Sequence, residues 1–111
     1  MEINTEMREK QAIVSVQGDI DAHTAGTVSE AWQQALAEDR KALIIDLGGV
    51  QFMSSAGLRA ILATHQKAQE SGTNVFLAAP QPGILRVLDM AGFTKILSCY
   101  ETVEEAVSTA D

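Results

Sequence analysis

Near the start of the chain, Ile3, Thr5 and Met7 alternate with Glu2, Asn4, Glu6 and Arg8. That period of two predicts a strand with one face turned to a core. A polar turn at Glu9, Lys10 and Gln11 separates it from the run Ala12 to Gln17, in which Ala12, Val14 and Val16 share a face. The two strands read as a hairpin. The second ends at Gly18, and the loop Asp19-Ile20-Asp21-Ala22-His23 follows.

The period then changes. Thr24 suits the N-cap of a helix in which Val28, Ala31, Trp32, Ala35 and Leu36 make one apolar stripe. Ala42 to Leu47 is a continuous apolar run closed by Gly48-Gly49, the pattern of a strand buried on both faces. After Ser54-Ser55 a second helix is predicted. Leu58, Ile61, Leu62 and His65 form its inward stripe, with His65 as a hydrogen-bonded core histidine, and Arg59, Gln66, Lys67 and Glu70 face outward. Ser71-Gly72 ends it. Val75 to Ala79 reads as a strand stopped by Pro80-Gln81-Pro82-Gly83, and Ile84, Leu85, Val87, Leu88 and Ala91 as a short helix before Gly92. Lys95 to Cys99 is expected as a short edge strand. Thr102 and Glu105 form a capping box for a last helix carrying Val103, Ala106, Val107 and Ala110. The order β-β-α-β-α-β-α-β-α predicts one α/β domain over residues 1–111, with a mixed, mostly parallel sheet of four to five strands flanked by about four helices.

Composition narrows the function. The 111 residues are 46% hydrophobic and 21% charged, the balance of a globular domain. Eight Lys and Arg against fifteen Asp and Glu give a net charge of −7. Nucleic acids and anionic membranes draw their affinity from basic clusters, so neither is expected as a partner. A basic or apolar protein surface suits this chain better. Cys99 is the one cysteine, read as a small, partly buried core residue, which leaves no internal disulfide, zinc set or CxxC site. No apolar run approaches the ~20 residues of a membrane span, and the N-terminal MEINTEMREK has no secretion-signal pattern. A cytoplasmic monomer is expected. The sequence holds no P-loop, no suggestively spaced Ser-His-Asp or Cys-His set and no metal cluster. The expectation is therefore a binding protein without cofactor or metal, not an enzyme.

The informative segment is Val50 to Arg59, which follows the buried strand and opens a helix. In open α/β sheets, ligands and partners gather beyond the carboxyl ends of the strands. Ser54 and Ser55 fall there, at the positive end of a helix dipole. A serine in this place is equally an ordinary N-cap, worth about 1 kcal/mol. Gly57 costs a helix about 1 kcal/mol relative to alanine, which implies a close approach there, by a partner or by internal packing. The residues alone leave both readings open.

Gly18-Asp-Ile-Asp21, Ile44-Ile-Asp-Leu47 and Phe52-Met-Ser-Ser-Ala-Gly-Leu58 resemble the successive motifs of STAS domains. More narrowly, the chain resembles the stand-alone bacterial anti-sigma factor antagonists, from Ile3 to about Ala110. The resemblance implies a phosphoprotein that regulates transcription through protein–protein contact. Its unphosphorylated form would bind an anti-sigma factor that is also a serine kinase of the histidine-kinase-like ATPase fold, releasing the sigma factor. Phosphorylation would separate the pair, and a PP2C-type phosphatase would reset it. Aligned on the motif, the phosphoacceptor is Ser55. The preceding position, Asp in many members, is Ser54, and the following one, often Ser or Thr, is Ala56, so Ser54 stays open as a neighbouring acceptor. The resemblance puts the Gly18–Asp21 region on the partner surface near the phosphoacceptor; Asp19, Asp21, His23, Thr24, Ser54, Gly57 and Arg59 are the expected partner-binding residues, with turn-forming or N-capping roles equally open to Asp19 and Asp21 and a solvated loop position to His23. The competing reading is a STAS subunit of a transporter or stress-signalling assembly with no phospho-switch. Met90, Gly92 and Phe93 suit either an apolar contact surface at the end of the third helix or core packing and a helix end, and are left out of the site.

Overall fold

The expected hairpin is made by β1 (Glu2–Met7) and β2 (Gln11–Gln17), paired antiparallel with Met7 opposite Ala12. The chain then crosses over α1 (Ala25–Leu36) to β3 (Ala42–Gly49), over α2 (Ser55–Ser71) to β4 (Asn74–Ala78), and over α3 (Pro82–Met90) and α4 (Phe93–Ile96) to β5 (Ser98–Tyr100). Helix α5 (Val103–Ala110) ends it. Each helical crossover returns the chain in the same direction, so β2, β3, β4 and β5 are parallel neighbours in the order β1-β2-β3-β4-β5. The computed structural model describes residues 1–36 and 40–110.

Strand alternation divides the core between two layers. Ala12, Val14 and Val16 of β2, Leu43, Ile45 and Leu47 of β3, and Val75 and Leu77 of β4 face α1 to α4. There they meet Val28 and fully buried Trp32 of α1, Ile61 of α2, Leu88 of α3 and Phe93 of α4. Burying one such large apolar side chain contributes about 1.5–3 kcal/mol. Ile13, Ile44 and Ala78 face the other way, where Ala106, Val103 and Val107 of α5 cover them. Thr102 caps α5 as expected, the Glu105 N–H donating to Thr102 Oγ1 at 3.1 Å, while the Glu105 carboxylate accepts the Thr102 hydroxyl at 3.3 Å in place of the backbone N–H of a full capping box.

Four expectations need correction. In β1 Ile3 alone packs on the core, while Thr5 and Met7 are exposed, because β1 is the sheet's outer strand. Helix α2 buries Gly57, Ala60, Ile61, Thr64 and Ala68; of the expected Leu58, Ile61, Leu62 and His65, only Ile61 is fully buried and Leu58 packs partly against the core. The true stripe lies one residue earlier, a rotation of about 100°, so Leu62 is exposed and His65 is only half-buried. Residues expected in one edge strand divide between α4 and β5, giving five helices in all among the described residues. Gly92, at φ 86°, supplies the left-handed turn that lets α4 begin directly after α3. Finally, β4 is Asn74–Ala78 and excludes Ala79, whose φ of 56° breaks the extended chain.

Candidate partner-binding site

The two segments singled out in the sequence are joined by backbone hydrogen bonds. Gly18 N–H donates to the Gly49 carbonyl at 3.0 Å, Ile20 N–H to the Phe52 carbonyl at 2.9 Å, and Ser54 N–H to the Ile20 carbonyl at 2.8 Å. Ile20 and Met53 pair as a short parallel bridge. Both side chains are buried, and they point at the first turn of α2. A methyl group on Gly57 would stand 2.7 Å from Met53 Cγ and 2.8 Å from Ile20 Cγ2. The glycine therefore lets the helix close on the bridge. Gly57, expected on the partner face, is buried beneath it instead.

Loop Asp19–Thr24 is ordered by its own polar groups. Asp21 Oδ1 accepts the N–H of His23 at 2.9 Å and of Thr24 at 3.1 Å. Thr24 Oγ1 accepts the Asp21 N–H at 2.9 Å and donates to the Asp19 carbonyl at 2.8 Å. Thr24 does hold the N-cap position, since its carbonyl takes the Val28 N–H at 3.1 Å, but its hydroxyl is spent on the loop, and the Asp21 carboxylate holds the turn before the helix rather than the helix's own first N–H groups. The hydrogen bond from the His23 N–H holds the Asp21 carboxyl below its ordinary range; those from Thr24 and the charge of His23 add to it, against a smaller opposing effect of burial. Asp19 and His23 are exposed and Asp21 is half-exposed, on a loop held by hydrogen bonds within itself.

The paired serines have different surroundings. Ser54 is the N-cap of α2, with φ −86° and ψ 176°, and its carbonyl accepts the Leu58 N–H at 3.1 Å. Its hydroxyl does not cap the helix: Oγ is shut off from solvent and has no hydrogen-bond partner among the described residues. Ser55, the first residue of the 17-residue helix, is exposed. Arg59, one turn on, is exposed too. Phe52 beside them is 52% exposed. Phe52 and Ile20 stand within the sequence motifs without an assigned role; the isoleucine between two aspartates is the sequence signal that this loop has an apolar anchor.

Elsewhere, Cys99 is half-buried, and loss of solvent pushes its thiol above the ordinary range. Among the described residues no three His, Cys, Asp or Glu side chains gather as a metal site, and no helix is long and apolar enough to cross a membrane.

The architecture and the motifs match known proteins. The family model of the STAS domain matches residues 2–106. The anti-sigma F factor antagonist of Paenibacillus polymyxa is 28% identical over 109 residues, covering 97% of this chain and 93% of the relative. The anti-sigma-F factor antagonist RsfB of Mycobacterium tuberculosis is 31% identical over 97 residues, covering 87% of this chain and 79% of the relative. The crystal structure of an anti-sigma factor antagonist from Mycobacterium paratuberculosis superposes with a TM-score of 0.89 at 29% identity, over 98% of this chain and 92% of the other.

Proposed function

We propose that this chain, which belongs to the STAS domain family, is an anti-sigma factor antagonist whose grip on its partner is switched by phosphorylation of Ser55. Relatives that bear the antagonist name cover nearly the whole chain. The observation that carries the switch is the contrast between the two hydroxyls: Ser55 is exposed at the head of α2, while Ser54 Oγ is sealed beneath the surface. A kinase reaching this segment meets Ser55.

The unmodified face combines a neutral hydroxyl with Asp19, Asp21 and His23 on the adjoining loop and Arg59 on the helix. A partner docking here offers basic groups to the loop and desolvates the Ser55 hydroxyl. Phosphorylation replaces that hydroxyl with about −1.5 to −2 charges. The first N–H groups of a helix have no intrahelical acceptor and favour an anion, so the domain keeps its fold. The contact is what fails, because a dianion now occupies the space the partner had dried.

In this reading the partner is an anti-sigma factor with serine kinase activity of the histidine-kinase-like ATPase fold, and a PP2C-type phosphatase restores binding. The antagonist itself performs no chemistry. Intact-mass measurement after incubation with the anti-sigma kinase and ATP tests it: one phosphate, mapped to Ser55 and absent from Ser55→Ala, is the expected result. A phosphate mapped to Ser54, or none, is the result that defeats it.

A further inference from the structure

The one-residue rotation of α2 has brought apolar side chains to the surface beside Ser55. Taking about 100° per residue, Ser55, Arg59 and Leu62 fall within one arc of the helix, opposite the buried arc of Gly57, Ala60, Ile61, Thr64 and Ala68, and Leu58 at the edge of that arc packs partly on the core. Leu62 is 37% exposed and Leu58 partly so. At the N-terminal end, the strand-like segment Phe52–Ser54 turns Met53 inward to the Ile20 bridge, and Phe52 is exposed. The same arc turns polar after Leu62, with Gln66 and Gln69 exposed in the following turns. The apolar strip thus ends at Leu62, about two helical turns or ~10 Å along the helix from Ser55.

We propose that Phe52 and Leu62 are the apolar anchors of the docking face, and that its occupant is the same anti-sigma kinase that modifies Ser55. This rests on the function proposed above. The argument for that occupant is continuity: a molecule that touches Ser55 closely enough for a phosphate to expel it must also cover the residues bracketing it. Arg59, exposed within the strip, makes no ion pair among the described residues. The complementary surface is therefore a shallow apolar depression with a carboxylate opposite Arg59 and basic groups opposite Asp19 and Asp21. The apolar flanks supply the lifetime of the complex and the charges its rate of formation. Ser55, in the middle, contributes little attraction and serves as the position where repulsion is introduced.

The test uses the full chain and, immobilised, the anti-sigma factor that phosphorylates it, with wild type, Phe52→Ser, Leu62→Gln and Met7→Ser compared. Met7 is 42% exposed and lies opposite Ala12, at the end of β2 remote from Gly18, so it serves as an equally apolar control. The circular dichroism spectrum of each variant reports its fold; glutamine is a good helix former and repeats the polar character of Gln66. At least tenfold weaker binding for both Phe52→Ser and Leu62→Gln is expected, with KM for phosphorylation raised and kcat unchanged, and Met7→Ser at wild-type affinity. Wild-type affinity in either strip variant, or an equal loss in Met7→Ser, overturns the inference while leaving the phospho-switch standing. If wild type is neither bound nor phosphorylated, the proposed function itself fails, and the inference with it.

Discussion

The backbone N–H of Ser54 donates to the carbonyl of Ile20 at 2.8 Å. Through that bond the residue that caps α2 is tied to the centre of the acidic loop, and two segments more than thirty residues apart form one surface. Ile20 is fully buried, so the loop is anchored from below by an apolar side chain and from the side by hydrogen bonds. The consequences can be measured.

Gly57→Ala is expected to destabilise the domain. Helix propensity favours alanine by about 1 kcal/mol, but a methyl group 2.8 Å from Ile20 Cγ2 and 2.7 Å from Met53 Cγ forces the helix off the bridge. Overpacking of that kind costs about 1–3 kcal/mol. The prediction is a lower urea midpoint with unchanged m-value, together with weaker binding of the anti-sigma factor as the serine segment and the loop separate. A midpoint at or above that of wild type would show that the bridge yields at no cost.

Ser54→Ala should be nearly neutral to stability. Removing a serine that caps a helix costs about 1 kcal/mol. Here the hydroxyl makes no capping bond and is sealed without a partner, so its removal takes away an unsatisfied polar atom. The urea midpoint should match or exceed that of wild type, and Ser55 should still be phosphorylated. A loss of the full capping energy would mean that the hydroxyl caps the helix in solution.

Asp21 makes the order of the loop depend on pH. Its carboxyl lies below the ordinary value of 3.8, first because of the His23 N–H, so the ionised form is the one the folded loop prefers. A depressed carboxylate contributes its full stabilisation above the unfolded value and loses it as pH falls through the folded one. Amide exchange at His23 and Thr24, corrected for its intrinsic pH dependence, should therefore lose protection as pH drops below about 4. In Asp21→Asn that protection should no longer change with pH over this range. An acid dependence identical in both proteins would show that the Asp21 carboxylate does not order the loop.

Much of this architecture was legible in the chain. The alternation in β2, the unbroken apolar run of β3 and the Thr102 cap of α5 are local patterns that local physics obeys. The helix stripe in α2 was not readable in the same way. Leu58, Ile61, Leu62 and His65 make a convincing apolar face, and the true one is poorer in large side chains, with Gly57, Ala60, Thr64 and Ala68 around Ile61. Tertiary contact decided it: the helix must bring its smallest residue against Ile20 and Met53, and that demand leaves Leu62 exposed and Leu58 only partly packed on the core. The same long-range pairing hid the importance of Ile20, whose partners Phe52 and Ser54 are remote in sequence. At the site, Ser55 was found by its motif. That Ser54 is sealed while Ser55 is exposed depends on side-chain placement, which sequence does not encode locally.

The central claim is that a phosphate on Ser55 abolishes partner binding without unfolding the domain. Its most direct test is calorimetric titration of the anti-sigma factor with unmodified, Ser55-phosphorylated and Ser55→Ala protein, each with its circular dichroism spectrum recorded. The account predicts that the unmodified and alanine forms bind alike, and that the phosphorylated form binds at least a hundredfold more weakly with an unchanged spectrum. Equal binding by the phosphorylated form, or loss of binding accompanied by unfolding, would contradict it.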